Sequence, residues 1–247
     1  MPDVPSLPAE DDLKKLPLRA IVAYALRWAR RVQPLLQPRR WLETRDAQLV
    51  ERALDEVECF CRAEPISDVD FEAADGAARN AARTAEMSNC RSACFAARAA
   101  ADAVRAAVNA QAVGDEVVGG SGSDRRVTSR DNDQPETVCA DDETKDALAA
   151  VLATRAAAVP ADDTPFAAVE VSRVAKLAAD AAEKAASSTD SVAHTFSAAD
   201  DCRRLLQLAL GSFPCLGMPI DPSERGPLGK LWEGTPPTWF KRQLTLW

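Results

Sequence analysis

The sequence predicts an all-α protein, a bundle of about five or six helices with long Ala-rich members and an irregular aromatic tail. Three observations predict it. About a fifth of the 247 residues are alanine, concentrated in the middle, where Met87, Phe95, Val104 and Val108 are the only large apolar side chains between Ala73 and Ala112. Alanine has the best intrinsic helix propensity and loses no side-chain entropy, but its methyl group buries little area. All five tryptophans lie in the first 41 or the last 16 residues, so the two ends carry the material for a conventional core. Apolar residues recur at helical spacing, and no segment alternates as a strand would.

Residues 1–12 are acidic and Pro-rich and read as a disordered arm. Residues 13–212 read as one helical domain, interrupted by a flexible linker at 113–140. Residues 213–247 read as an irregular tail packed on the bundle. Leu16-Pro17-Leu18 opens the first helix, since proline suits the first helical turn. Leu18, Ile21, Val22, Ala25, Trp28, Ala29, Val32 and Leu35 form its stripe, with Arg19, Arg27, Arg30 and Arg31 largely off it. Pro34 and Pro38 end it. A second helix, Thr44 to Arg62, pairs with the first as an antiparallel hairpin.

The spacing next predicts one long helix from about Asp68 to Ala112, about 65 Å if unbroken, with a bend near Ser88. Gly119-Gly120-Ser121-Gly122-Ser123 marks the linker. A fourth helix is expected over Lys145–Val159. Another starts after Asp163-Thr164-Pro165 and carries Phe166, Val169, Val174, Leu177 and Ala178. The last, leucine-rich helix ends at Gly211. Beyond it, prolines and glycines exclude long helix, while Phe213, Leu216, Ile220, Leu228, Trp232, Trp239 and Phe240 are too apolar to float free.

Net charge is −8, unevenly spread. From Lys14 to Arg45 nine basic residues face one acid, Glu43, so that stretch is +8 and the remainder −16. The basic end is expected to dock on the chain's own acidic body; an anionic membrane or a nucleic acid is the competing reading. No basic and apolar leader opens the chain, and no run reaches the ~18 apolar residues that span a bilayer. Seven cysteines, an odd number, then fit a reduced cytoplasmic setting as small buried hydrophobes. Arginine outnumbers lysine 23 to 7, which with the alanine fits a GC-rich bacterial genome.

Catalytic patterns are sparse. His194 is the single histidine, with serine at position 191, so neither a histidine pair nor a Glu-x-x-His di-iron motif can form within one chain. The Gly119–Ser123 stretch lacks the Gly-Lys-Ser/Thr ending of a phosphate loop. Cys90 and Cys94 share a helix face, but no second cysteine knuckle accompanies them, so neither metal nor cofactor is expected. What remains is a candidate partner surface: Arg19, Arg27, Arg30 and Arg31 on the first helix, and Trp232, Trp239 and Phe240 in the tail. Trp28, on the apolar stripe, belongs to the core.

Leu16-Pro17-Leu18-Arg19-Ala20-Ile21-Val22-Ala23-Tyr24-Ala25, Ala29-Arg30-Arg31-Val32-Gln33-Pro34-Leu35, and the closing Gly226-Pro227-Leu228, Leu231-Trp232 and Trp239-Phe240 carry a resemblance. The chain resembles a group of Ala-rich α-helical bacterial proteins with similar ends and a variable alanine-dominated middle. The resemblance covers about 50 residues and implies no activity, cofactor or site residue. The expected function is a non-catalytic helical scaffold or protein-interaction protein, with a protein partner or self-association. The alternative is a surface binder of anionic lipid or nucleic acid through the basic first helix.

Overall fold

The computed structural model describes residues 7–36, 44–65, 68–88, 90–119, 164–186, 191–208, 210–232, 235–237 and 240. Among them are seven helices and no strand: α1 (Glu10–Leu13), α2 (Leu18–Val32), α3 (Thr44–Arg62), α4 (Asp68–Met87), α5 (Arg91–Gly119), α6 (Thr164–Ala186) and α7 (Ser191–Gln207). The chain is an all-α bundle. The helix expected over 145–159 lies outside the described residues.

Part of the arm expected to be disordered is a short helix. Glu10, Asp11 and Asp12 fill the first turn of α1, where negative charge meets the positive end of the helix dipole. The Ala9 amide donates to the Asp12 carboxylate at 3.2 Å. Lys14 and Lys15 pair back to Glu10 and Asp12 at 2.9 and 2.6 Å, and Leu13 is fully buried. A one-turn helix is marginal by itself, so its anchor is that leucine rather than propensity.

α2 and α3 form the expected antiparallel hairpin. Arg19 near the start of α2 lies over the ring of Phe60 at 5.7 Å, whereas Arg30 near its end meets Asp55 at 2.5 Å. α3 stops at Ala63, which takes a left-handed φ of 58° so that the Glu64 amide can donate to Cys59 O at 2.9 Å.

The single long helix expected from Asp68 to Ala112 is instead two. One helix ends at Met87 and the next starts at Arg91, and the Cys90 amide closes back onto Ala85 O at 2.8 Å. The chain then reverses: Glu86 pairs with Arg98 and Asp75 with Arg105, so numbering falls along α4 as it rises along α5. Alanine propensity alone favours continuing the helix. Folding back lets both Ala-rich faces bury against each other, and tertiary packing overrides propensity. α5 also runs on to Gly119, past the expected end at Ala112, because Val113 and Gly114 are covered rather than solvated.

α5 is the centre of the bundle. It packs along α2, α3, α4 and above all α6. Ala93, Ala96, Ala97, Ala99, Ala100, Ala101, Ala103, Ala106, Ala107 and Ala110 are all buried, covering well over half of its circumference. Across the seam, α6 buries Ala168, Ala175, Ala178, Ala179, Ala182 and Ala185. α6 runs antiparallel to α5: Lys184, late in α6, sits over the Phe95 ring at 5.9 Å, and Glu170, early in α6, feels the charge of Arg105. Small side chains let helix axes approach at the short end of the usual ~8–10 Å spacing.

Candidate functional site

α2 is covered on every side. From Leu18 to Val32 only Arg19 and Arg30 keep partial exposure, because α3, α5, α6 and α7 surround the helix and the tail covers the remaining strip. Arg27 and Arg31 are therefore not a surface: they are 1% and 0% exposed. The apolar stripe correctly marks one buried face. It does not show that the opposite face is buried too.

Two guanidiniums in a core require counter-charge and acceptors for their five N–H groups each. Asp201 of α7, 2% exposed, supplies the charge to both: Arg27 Nε lies 3.0 Å from Oδ1, and Arg31 Nη2 contacts Oδ2. The tail supplies most of the acceptors. Arg27 Nη1 donates to Pro222 O and Gly229 O at 3.0 Å each, and its Nη2 donates to Lys230 O at 2.6 Å. Arg31 Nε donates to Leu231 O at 2.7 Å, and Nη2 also reaches Ser197 O at 3.3 Å. The Arg31 guanidinium lies 5.7 Å from the Trp28 ring centre and 6.0 Å from that of Trp232, so two indoles flank the charge. Burial pulls the Arg31 pKa down from its ordinary value, and Asp201 opposes that shift.

The same pattern continues along α2. Its N-terminal residue pair has no side-chain cap, since Pro17 precedes it. Tail carbonyls take that role: the Leu18 amide donates to Cys215 O at 2.9 Å and the Arg19 amide to Leu216 O at 3.0 Å. Arg19 Nη1 donates to Gly217 O at 2.8 Å. Residues 215–217 thus meet the start of α2, and residues 229–231 meet its end. The tail is a strap running parallel to the helix, held through its main chain.

Side strands of this network fix the strap from its flanks. Arg204 of α7 donates to Leu228 O at 2.5 Å, Arg62 of α3 pairs with Asp221 at 3.0 Å, and the Ile220 amide donates to Cys61 O at 2.8 Å. Ile220, Leu228 and Trp232 are buried beneath it. Two glycines make the fit possible. Gly217 has φ +80°, and a Cβ there would stand 2.5 Å from Pro17 Cβ. Gly114, inside α5, leaves room for the Leu216 side chain, which a Cβ would strike.

Of the seven candidate surface residues, the structure gathers Arg27, Arg31 and Trp232 into this buried locus. Phe240 meets the Trp232 ring edge-on at 5.5 Å. Arg19 serves the other end of the strap. Arg30 points away, to Gln33 at 2.9 Å and to Asp55 and Glu58 of α3. Trp239 and the His194 side chain lie outside the described residues. The sequence reading missed Asp201, Arg204, Asp221 and Arg62. Asp201 left a signal: it sits between Ala198 and Leu205 on the stripe that α7 buries, an acid where an apolar residue is due.

Three buried thiols are held in the protonated form. Burial pushes Cys61 and Cys94 above the ordinary thiol range and Cys202 up to about 11, so the nucleophilic thiolate is scarce. Among the described residues, no three His, Cys, Asp or Glu side chains converge to hold a metal, and no helix is long and apolar enough to cross a membrane. No family model matches the chain, and no curated protein and no solved structure matches it.

Proposed function

We propose that this protein is a non-catalytic helical scaffold or protein-interaction protein, working in a bacterial cytoplasm with a protein partner or with copies of itself. One observation carries the reading: the buried charges that a reaction would need are engaged in architecture. Arg27, Arg31 and Asp201 hold the strap in place, with Arg27 donating to three tail carbonyls, Arg31 to one, and both paired with Asp201. A catalytic constellation instead leaves polar groups converging on an open space for substrate.

The same observation weakens the alternative, an anionic lipid or nucleic-acid binder acting through the first helix. Two of its four arginines are buried and a third, Arg30, is paired with Asp55 and Glu58. The test combines light scattering of the purified chain, cross-linking in extracts of the native host, and vesicle and DNA binding over a salt series. A stable complex or self-association, with no salt-sensitive binding, supports the scaffold reading. A monomer without a stable partner counts against it, and salt-sensitive binding to vesicles or DNA replaces it with the alternative.

A further inference from the structure

The α4–α5 hairpin carries a second group of charges, separate from the strap. Asp75 of α4 and Asp102 of α5 face one guanidinium: Arg105 Nη2 lies 4.0 Å from Asp75 Oδ1, and Nη1 lies 3.6 Å from Asp102 Oδ1. Neither distance is a hydrogen bond. Asp75 Oδ2 is held by Arg79, but Asp75 Oδ1 is buried and receives no hydrogen bond. A buried acceptor without a donor costs free energy, and its neighbour Asp102 can supply a donor only as the acid.

We propose that Asp75 and Asp102 form a proton-operated latch between α4 and α5, in which Asp102, once protonated from solvent, donates a hydrogen bond to the buried Oδ1 of Asp75. With both carboxylates ionised, the two like charges repel across the helix pair and Arg105 is shared between them. With one proton taken up, the repulsion is replaced by a carboxyl–carboxylate hydrogen bond, which is of the strong, charge-assisted kind. The hairpin therefore tightens in acid and loosens as the medium becomes neutral.

The surroundings agree. Burial raises the Asp102 pKa to about 6; Asp75 adds to the rise, while Arg105, Arg79 and Arg98 oppose it. The charges facing the pair are thus Asp75 and Arg79 from α4 and Arg98 and Arg105 from α5, with Glu170 of α6 drawing on Arg105 from the far side. Because the folded-state pKa lies above the ordinary carboxylate value of 3.8, the native state binds the extra proton between those limits. The contribution is full below the ordinary value and is lost as pH rises through about 6.

Asp102→Asn tests this, because an amide donates to Asp75 Oδ1 at every pH. The expected result is a melting temperature above that of the parent at pH 7.5, with the difference shrinking to nothing by pH 4. A difference that does not change with pH, or one of opposite sign, overturns the latch. A second measurement needs no altered Asp102: the Asp102 carboxyl is titrated by carbon NMR in the parent and in Asp75→Asn. The parent midpoint is expected near 6, falling toward the ordinary carboxylate range when the Asp75 charge is removed. A parent midpoint in the ordinary carboxylate range, or no movement in Asp75→Asn, refutes the pairing.

Discussion

The α5–α6 seam and the strap on α2 hold the same bundle together by opposite means. The seam is a long contact of mostly small apolar side chains, in which no single alanine contributes much. The strap is a short irregular segment, held by a few arginines that donate to its carbonyls, Arg27 alone to three of them. Deleting one methyl group from the seam removes about 0.8 kcal/mol of burial. Deleting one group from the strap network leaves others buried and unmatched. The protein is forgiving where it is regular and exacting where it is irregular.

Asp201→Ala should break that comparison open, as the largest effect. It leaves Arg27 and Arg31 in the core without their shared carboxylate, and losing one partner of a buried ion pair costs ~3–5 kcal/mol. Urea denaturation of the variant against the parent reads the loss. A change under ~1 kcal/mol would mean that tail carbonyls alone carry both charges. Replacing Arg27, Arg31 and Asp201 together by apolar residues is often neutral in buried ion clusters. Here it should not be, because Pro222, Gly229, Lys230 and Leu231 would lose the donors their carbonyls now have.

This contrast also explains what the sequence made legible. The all-α class, the α2–α3 hairpin and the helix from Thr44 to Arg62 follow from local periodicity and proline, and the structure has them. The reversal between α4 and α5 does not follow, because Ala-rich helix propensity is nearly the same in both and only tertiary packing breaks the tie. The burial of Arg27 and Arg31 is equally hidden. A helix with one apolar stripe and one basic face looks the same in sequence whether solvent or a strap covers that face, and the partner carbonyls lie about 200 residues away. Main-chain acceptors leave no side-chain signature, so Asp201 was the one member of the site that sequence could betray.

Ala178→Leu probes the other half of the comparison, with a smaller expected effect. Ala178 is fully buried on α6, and α6 packs on both α5 and α2. A seam made of alanine has no slack for three more carbons, so the helices must separate or the leucine must leave its preferred rotamer, at ~1–3 kcal/mol. The midpoint of thermal unfolding should fall accordingly, with helical content by circular dichroism retained. An unchanged midpoint would show that the helices are not held at close spacing, and alanine would then serve propensity alone.

Arg30→Ala is the smallest perturbation and sharpens the distinction between a buried arginine and a surface one on the same helix. Arg30 stands one residue from Arg31, yet it is partly exposed and meets Asp55 and Glu58 across the α2–α3 hairpin. Water replaces the lost guanidinium at both carboxylates, so neither is left unsolvated. The expected cost is below ~1 kcal/mol and should shrink further in high salt, since solvent screens the pair. A loss comparable to that of Asp201→Ala would place Arg30 inside the same cooperative network and dissolve the boundary between the strap site and the hairpin. A small, salt-sensitive loss keeps that boundary where burial puts it, between two adjacent arginines with different partners on one helix.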